Sequence, residues 1–290
     1  WEMKKILVTG GVGFIGSNLI KKLKDYDYLI SSLDNYSTGN KDNEIEGVYY
    51  INDDIENINN IVNDYDLCFH LAAQSRVQPS FDDPEESLRV NVSGTSKVLE
   101  WAKKNNTKII YAGSSSKHHN PSDSPYAMYK FLGEEICKLY RNSFKINVEI
   151  ARFYNVYGPG ENADEKYGNV IGIWQAKIIK GEPLPIVGDG EQKRDFVHVF
   201  DVVDGLIKIA FSKLNHHDAW ELGTGINYSI NTLFNYFKIR FDAKSKNIPD
   251  QPGNYRITLR ENDDTLKLLN WIPKDRLEDH IKNLKIWKKY

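Results

Sequence analysis

Short apolar runs alternate with stretches of helical period through the first half of the chain. Lys4–Thr9 (KKILVT) carries an apolar run into a cluster of glycines and reads as a buried strand. Phe14–Leu23 (FIGSNLIKKL) has helical spacing. Further strands are predicted at Tyr28–Leu33, Val48–Ile51, Leu67–Leu71, Lys108–Ala112 and Asn147–Arg152. Long helices are predicted at Pro84–Lys104 and Tyr126–Tyr140. Strand–helix alternation of this kind predicts an α/β fold, a doubly wound parallel sheet with helices on both faces.

The second half is less regular. Val170–Lys180 reads as a helix ended by Gly181, and Pro185–Val187 and Phe196–Val199 as short strands. Helices are predicted at Val202–Phe211, Ile230–Phe241, Asp264–Leu269 and Leu277–Trp287. Polar Ala243–Asn254, with two prolines, reads as a loop. These patterns predict a first domain over 3–156, rejoined by part of 195–225, and a smaller, partly interleaved α/β domain over 157–290.

Composition narrows the classes of function. The chain has 290 residues, and its formal charge is 38 − 40 = −2. Such balance argues against a dedicated nucleic-acid or anionic-membrane binder. No stretch approaches the roughly 20 apolar residues of a membrane span, and no apolar leader precedes a cleavage site. Trp1 and Glu2 precede Met3, which we read as the start. Cys68 and Cys137 sit in apolar or helical contexts and read as reduced core thiols, so a cytoplasmic location is expected. His118 and His119 are adjacent without further ligands at zinc spacing; they read as plain loop residues, and no metal site is expected.

Gly10, Gly13 and Gly16 form G-x-x-G-x-x-G between a predicted strand and helix. Glycine there permits a tight turn and close approach of backbone to a pyrophosphate at the helix N-terminus, the Rossmann arrangement. Asp34 ends the next strand, where an acid binds a ribose 2′-hydroxyl and repels a 2′-phosphate; this favours NAD over NADP. Tyr126 and Lys130 lie four apart on one helix face, downstream of Ser114-Ser115-Ser116 at the carboxyl end of a strand. A tyrosine with pKa about 10 is a poor base at neutral pH. A nearby ammonium and a cationic nicotinamide would lower it. Tyr126 could then take a hydroxyl proton while hydride leaves the same carbon, with Ser114 holding the hydroxyl.

With these motifs assembled, the chain resembles an extended short-chain dehydrogenase/reductase of the nucleotide-sugar epimerase and dehydratase group. ILVTGGVGFIGSNL, LDNYSTG, DDI, FHLAAQ, NVSGT, YAGSSS, SPYAMYKFLGEE, RFYNVYGP, GDGEQKRDFVHV and LGTG…SIN carry the likeness, from about Met3 to about Pro273. Within the group it is most similar to the UDP-glucose and UDP-N-acetylglucosamine 4-epimerases. The resemblance implies an NAD-dependent isomerase with Ser114, Tyr126 and Lys130 catalytic. It implies NAD contacts from Gly10, Gly13, Phe14, Ile15 and Gly16. Asn35, Ser37 and Thr38 would join Asp34 at the adenosine ribose and neighbouring phosphate. Asp54 and Ile55 would meet adenine. Leu71, Ala72, Ala73 and Gln74 would line the second half of the cofactor, on a wall supported by Asn91. Tyr126 and Lys130 would also touch the cofactor. The nucleotide-diphosphate sugar would meet Ser115, Ser116, Asn155, Val170, Val187 and Arg194, and a homodimer would form through the two long helices. Trp101 and Tyr140 would suit that contact or the core.

The chain departs from the group's pattern in several places. The dehydratases carry Thr-Asp-Glu where this chain has Ser114-Ser115-Ser116, so no carboxylate stands at those positions for elimination of water. This favours epimerisation, or another oxidation at C4, over dehydration; a dehydratase or net oxidoreductase of the same group is the alternative, and the retained Tyr and Lys argue against a non-catalytic NAD-binding regulator or scaffold. Lys117-His118-His119 replaces Val-Tyr-Gly, and Tyr129 replaces a small residue. Late in the chain Gln251-Pro252-Gly253-Asn254 stands where R-x-G-D is usual, losing a positive and a negative group; Arg256 is the expected substitute.

Overall fold

The computed structural model describes residues 4–62 and 64–286. The expected start at Met3 and the expected helix end at Trp287 lie outside the described residues. Seven parallel strands form the main sheet: β1 (Lys4–Thr9), β2 (Tyr28–Asp34), β3 (Tyr49–Asn52), β4 (Leu67–His70), β5 (Lys108–Ser114), β6 (Val148–Phe153) and, from later in the chain, Trp220–Leu222. Its spatial order, from the late strand through β6, β5, β4, β1 and β2 to β3, reverses direction between β1 and β4. Ligands of doubly wound sheets bind at that switch, outside the carboxyl ends of the strands.

Both faces are covered, which is why β1 reads as one apolar run. Its Ile6 and Val8 enter a core under α1 (Phe14–Leu23) and the helix Val199–Phe211, while Leu7 enters the opposite core. The opposite core lies against α4 (Thr95–Asn105) and α5 (Pro125–Phe144), through Val98, Leu99, Trp101, Cys137 and Tyr140. Between them the chain forms α2 (Val77–Asp82) and α3 (Pro84–Leu88). A smaller lobe follows: β7 (Asn155–Tyr157), α6 (Val170–Lys180), β8 (Leu184–Val187), β9 (Lys193–His198), α7 (Val199–Phe211), β10 (Trp220–Leu222), β11 (Asn227–Ser229), α8 (Ile230–Phe241), β12 (Ser245–Ile248), α9 (Asp264–Leu269) and α10 (Leu277–Asn283). Of these, α7 and β10 belong to the main layers, so the chain returns to the large sheet before closing the lobe. Ile171, Trp174, Leu233, Phe237, Leu277 and Ile281 form a third core there.

Two sequence expectations are corrected. Pro84–Lys104 is not one helix: a wide π-type turn, Arg89–Gly94, separates α3 from α4. Such a turn re-aims a side chain; here Asn91 lies in it and bonds both backbone groups of Gln74. Ala243–Asn254 is not all loop, because β12 pairs in parallel with β8. Its residues are mostly exposed, and pairing through backbone groups alone leaves no hydrophobic pattern to read.

Candidate active site

The glycine turn is sterically obligatory. Gly10 has φ +76°, and a Cβ there would lie 2.8 Å from the backbone N of Ala72. A Cβ on Gly16 would lie 2.1 Å from the carbonyl O of Gly10. Gly13 opens α1 with no side-chain cap, so the amides of the first turn, through Phe14, Ile15 and Gly16, remain for a ligand. Asp34 braces this turn: Oδ2 accepts from Val12 N at 3.1 Å and Oδ1 from Tyr36 N at 2.8 Å. Burial holds its carboxyl above the ordinary range, opposed by these two bonds.

Beside it, Asn35 accepts from Ser37 N and donates to Asp54, while Ser37 and Thr38 are exposed. The Asp54 carboxylate is fully engaged. Arg89 grips it through two bonds of 2.8 and 3.1 Å and holds its pKa down to about 2. Ile55 is buried in the core against Gly94. The fold thus holds both side chains of the pair expected at adenine in place. Across the crevice, Ala72 N donates to Thr9 Oγ1 and Leu71 N to the Thr9 carbonyl. Asn91 clamps Gln74 from N and O at 3.0 Å each, and the buried Gln74 Oε1 has no partner among the described residues. Uncapped amides, glycines without room for a Cβ, an acid at the end of β2 and an orphaned amide oxygen fit a dinucleotide at this crevice.

Ser114 ends β5, and Tyr126 and Lys130 occupy successive turns of α5, which Ser124 caps by accepting from Ala127 N. Tyr126 Oη donates to Ser114 Oγ at 3.4 Å, and Ser116 Oγ donates to the same atom at 2.9 Å. Ser80 Oγ on α2 accepts from Tyr126 N, fixing the start of α5. The lysine is held by backbone and ring. Its ammonium donates to the Ala112 carbonyl and lies over the Tyr111 ring, and burial lowers its pKa to about 8. Burial raises the Tyr126 phenol, opposed by the Ser114 hydrogen bond and then by Arg76. Arg76 is thus a second cation, unassigned from sequence, whose charge favours the phenolate.

Two cavities lie near this trio. One of about 210 Å³ brings together the expected Asn155, Val170, Val187 and Arg194. It adds Arg76, Asn169, Gln192 and Asn254, which sequence reasoning did not assign to the site. Asn169 carried a readable signal, since it caps α6 by accepting from Gly172 N. Arg76 carried none. Arg194 donates to Asn254 Oδ1 at 2.6 Å, and burial lowers its pKa to about 10. Arg256 is corrected: it lies on the surface in an exposed ion pair with Asp189, outside this cavity.

The second cavity, about 190 Å³, is lined by Ser115, His118, His119, Tyr154 and Glu261 among others. Ser116 is buried. The histidines are not plain loop residues: His118 Nε2 lies 2.5 Å from buried Glu221, and His119 stacks on Tyr255. Tyr129 is half-buried and lines neither cavity.

Residues 6–223 match the model of the NAD dependent epimerase/dehydratase family. A Methanocaldococcus jannaschii protein with the provisional name UDP-glucose 4-epimerase is 36% identical, over 98% of both chains. The solved UDP-N-acetylglucosamine 4-epimerase of Methanobrevibacter ruminantium, in complex with UDP-N-acetylmuramic acid, superposes with TM-score 0.88 at 29% identity, over 97% of both chains. The UDP-glucuronic acid 4-epimerase of Bacillus cereus, in complex with UDP-glucuronic acid and NAD, superposes with TM-score 0.89 at 27% identity, over 96% of both.

Proposed function

The chain belongs to the NAD-dependent epimerase/dehydratase family, and from that premise we propose that it is a 4-epimerase of UDP-hexoses or UDP-N-acetylhexosamines. The reaction is transient oxidation at C4 to a 4-keto sugar and re-reduction from the other face. One observation carries the reading: Tyr126, Ser114 and Ser116 share a hydrogen-bonded cluster with no acid at the dehydratase positions. NAD supplies the hydride acceptor and donor and a positive charge beside the phenol. Gly10, Gly13, Phe14, Ile15 and Gly16 would hold its diphosphate, Asp34 its ribose, and Leu71 to Gln74 and Lys130 its second half.

Tyr126 takes the C4 hydroxyl proton and later returns it. Ser114 holds the hydroxyl, and Ser116, already bonded to Ser114, fixes the rotor of that serine. Arg194 and Asn155 hold the nucleotide diphosphate while the sugar turns.

Proton NMR of the protein with UDP-glucose and, separately, UDP-N-acetylglucosamine, without added NAD, tests this. The matching galacto epimer is expected; no new anomeric signal with either sinks the uridine reading. Elimination of water is the second reading, because Glu261 lines the cavity of Ser115; a 4-keto-6-deoxy product in the same spectra would establish it.

Asp34 gives a separate prediction. Asp34→Ala removes both the ribose acceptor and the brace of the glycine turn, so NAD affinity is expected to fall about tenfold or more. Unchanged affinity in a direct NAD titration would contradict the assignment.

A homodimer through the long helices is supported by exposed Leu88 on α3 and exposed Leu139 and Phe144 on α5. Trp101 and Tyr140 are buried in the core and are not part of that face. Among the described residues no helix is long and apolar enough to cross a membrane. Two buried free thiols, which burial holds well above the ordinary range, support a reducing, cytoplasmic location.

A further inference from the structure

We propose that Arg76 is the second cation of the nucleotide-diphosphate site, in place of the arginine that R-x-G-D supplies in similar chains and that this chain lacks. The inference rests on the nucleotide-sugar reading above. Arg256, the substitute expected from sequence, is spent on Asp189 at the surface. Arg76 instead lines the cavity that holds Arg194, Asn155 and Asn254. Its Nε donates to the Tyr167 carbonyl at 2.8 Å, which fixes the plane of the fork, and its terminal nitrogens make no hydrogen bond or ion pair among the described residues.

The backbone around Arg76 is anchored to the departing segment itself. Gln78 Nε2 donates to the Pro252 carbonyl at 2.9 Å, and a Cβ on Gly253 would lie 2.7 Å from Val77. The charge lost at Gln251 is thus regained from the neighbouring α2 side of the cleft.

Charge balance points to a diphosphate. The lining of the cavity holds two guanidinium groups, four amides and the apolar Val170, Pro185, Val187 and Ile230, with no carboxylate. Neither arginine forms an ion pair among the described residues, and burial lowers the pKa of both. Glu161, whose charge Arg76 feels, is not within ion-pair distance and is itself pushed up to about 7 by burial. Two forks without counter-ions match the two negative charges of an esterified diphosphate. The apolar residues supply a wall for a base. Tyr126 and Ser114 do not line this cavity, while the charge of Arg76 still reaches the Tyr126 phenol, which sets Arg76 between the nucleotide end and the reacting carbon.

Calorimetric titration of wild type, Arg76→Met and Arg76→Lys with UDP, dTDP, CDP and GDP, each against its own monophosphate, tests the assignment. For the base that binds best, Arg76→Met is expected to shrink the diphosphate-to-monophosphate affinity ratio about tenfold to a hundredfold, with the monophosphate nearly unchanged and Arg76→Lys intermediate. The ratio is internal to each variant, so a loosened pocket moves both ligands together. An unchanged ratio, or equal loss of both ligands, overturns the role of Arg76 alone. Failure of wild type to bind any of the diphosphates overturns the nucleotide-sugar reading with it.

Discussion

Tyr126→Phe is expected to lower turnover by about a thousandfold, within the 10²–10⁴ typical of a positioned acid–base group, while the protein stays folded and binds NAD. The substitution removes one oxygen. Ser114 keeps its bond from Ser116, and the backbone N of Tyr126 keeps its bond to Ser80, so the geometry around the missing hydroxyl persists. Turnover is read from the anomeric protons and folding from the unfolding midpoint. Activity within tenfold of wild type would remove Tyr126 as the base. The same phenol sets a pH dependence. Burial holds it above its ordinary pKa, so the base form is the minority species at neutral pH, and the rate is expected to rise as pH increases from roughly 6 to 9. A flat profile would show that proton removal from this group does not limit the reaction.

Arg152→Leu is expected to destabilise the fold by about 3–5 kcal/mol, the usual cost of breaking a buried ion pair from one side. Arg152 is 2% exposed and donates to Glu134 at 2.8 and 3.0 Å. It also reaches Asp218 at 2.7 Å and Glu221 at 3.4 Å. Glu134 is fully buried, so removing the guanidinium strands its carboxylate, whereas Glu221 keeps His118, the Tyr154 hydroxyl and the Glu261 amide. Glu134 also accepts from Ser114 N at 3.3 Å, which ties this network to the end of β5 and the catalytic serine. Activity is therefore expected to fall with stability, beyond the loss of folded fraction. Arg256→Leu is the control, since its exposed pair with Asp189 leaves no stranded charge. A midpoint for Arg152→Leu equal to that of the control would show that the buried network does not hold this edge of the sheet.

What could be read from the chain was whatever its chemistry encodes within a few residues. The run into Gly10 marks a strand closed by a turn that admits no Cβ. Tyr126 and Lys130 share a helix face because four residues make about one turn. Asp34 ends β2, where the run Tyr28–Leu33 gives way to polar residues. By contrast, the π-type turn that swings Asn91 onto Gln74 looks like uninterrupted helix, since its apolar spacing is helical on either side. Strand β12 escapes notice because it is held by backbone bonds and shows solvent its side chains.

The charges of the site divide the same way. Arg194 announced itself through the motif around it, but which other cation faces the cavity depended on how two distant segments pack. Gln78 and Pro252, 174 residues apart in sequence, meet only because α2 lies against the loop that follows β12, and Arg76 at the start of α2 is carried to the cavity with them. His118 and Glu221, 103 apart, are partners for the same reason. The sequence by itself determined the first six strands of the sheet, the dinucleotide turn and the catalytic helix face, because each rests on local backbone geometry and period. Only the tertiary structure decided which charges are buried together, because a guanidinium or carboxylate acts through space and takes its role from whatever the fold places within a few ångströms.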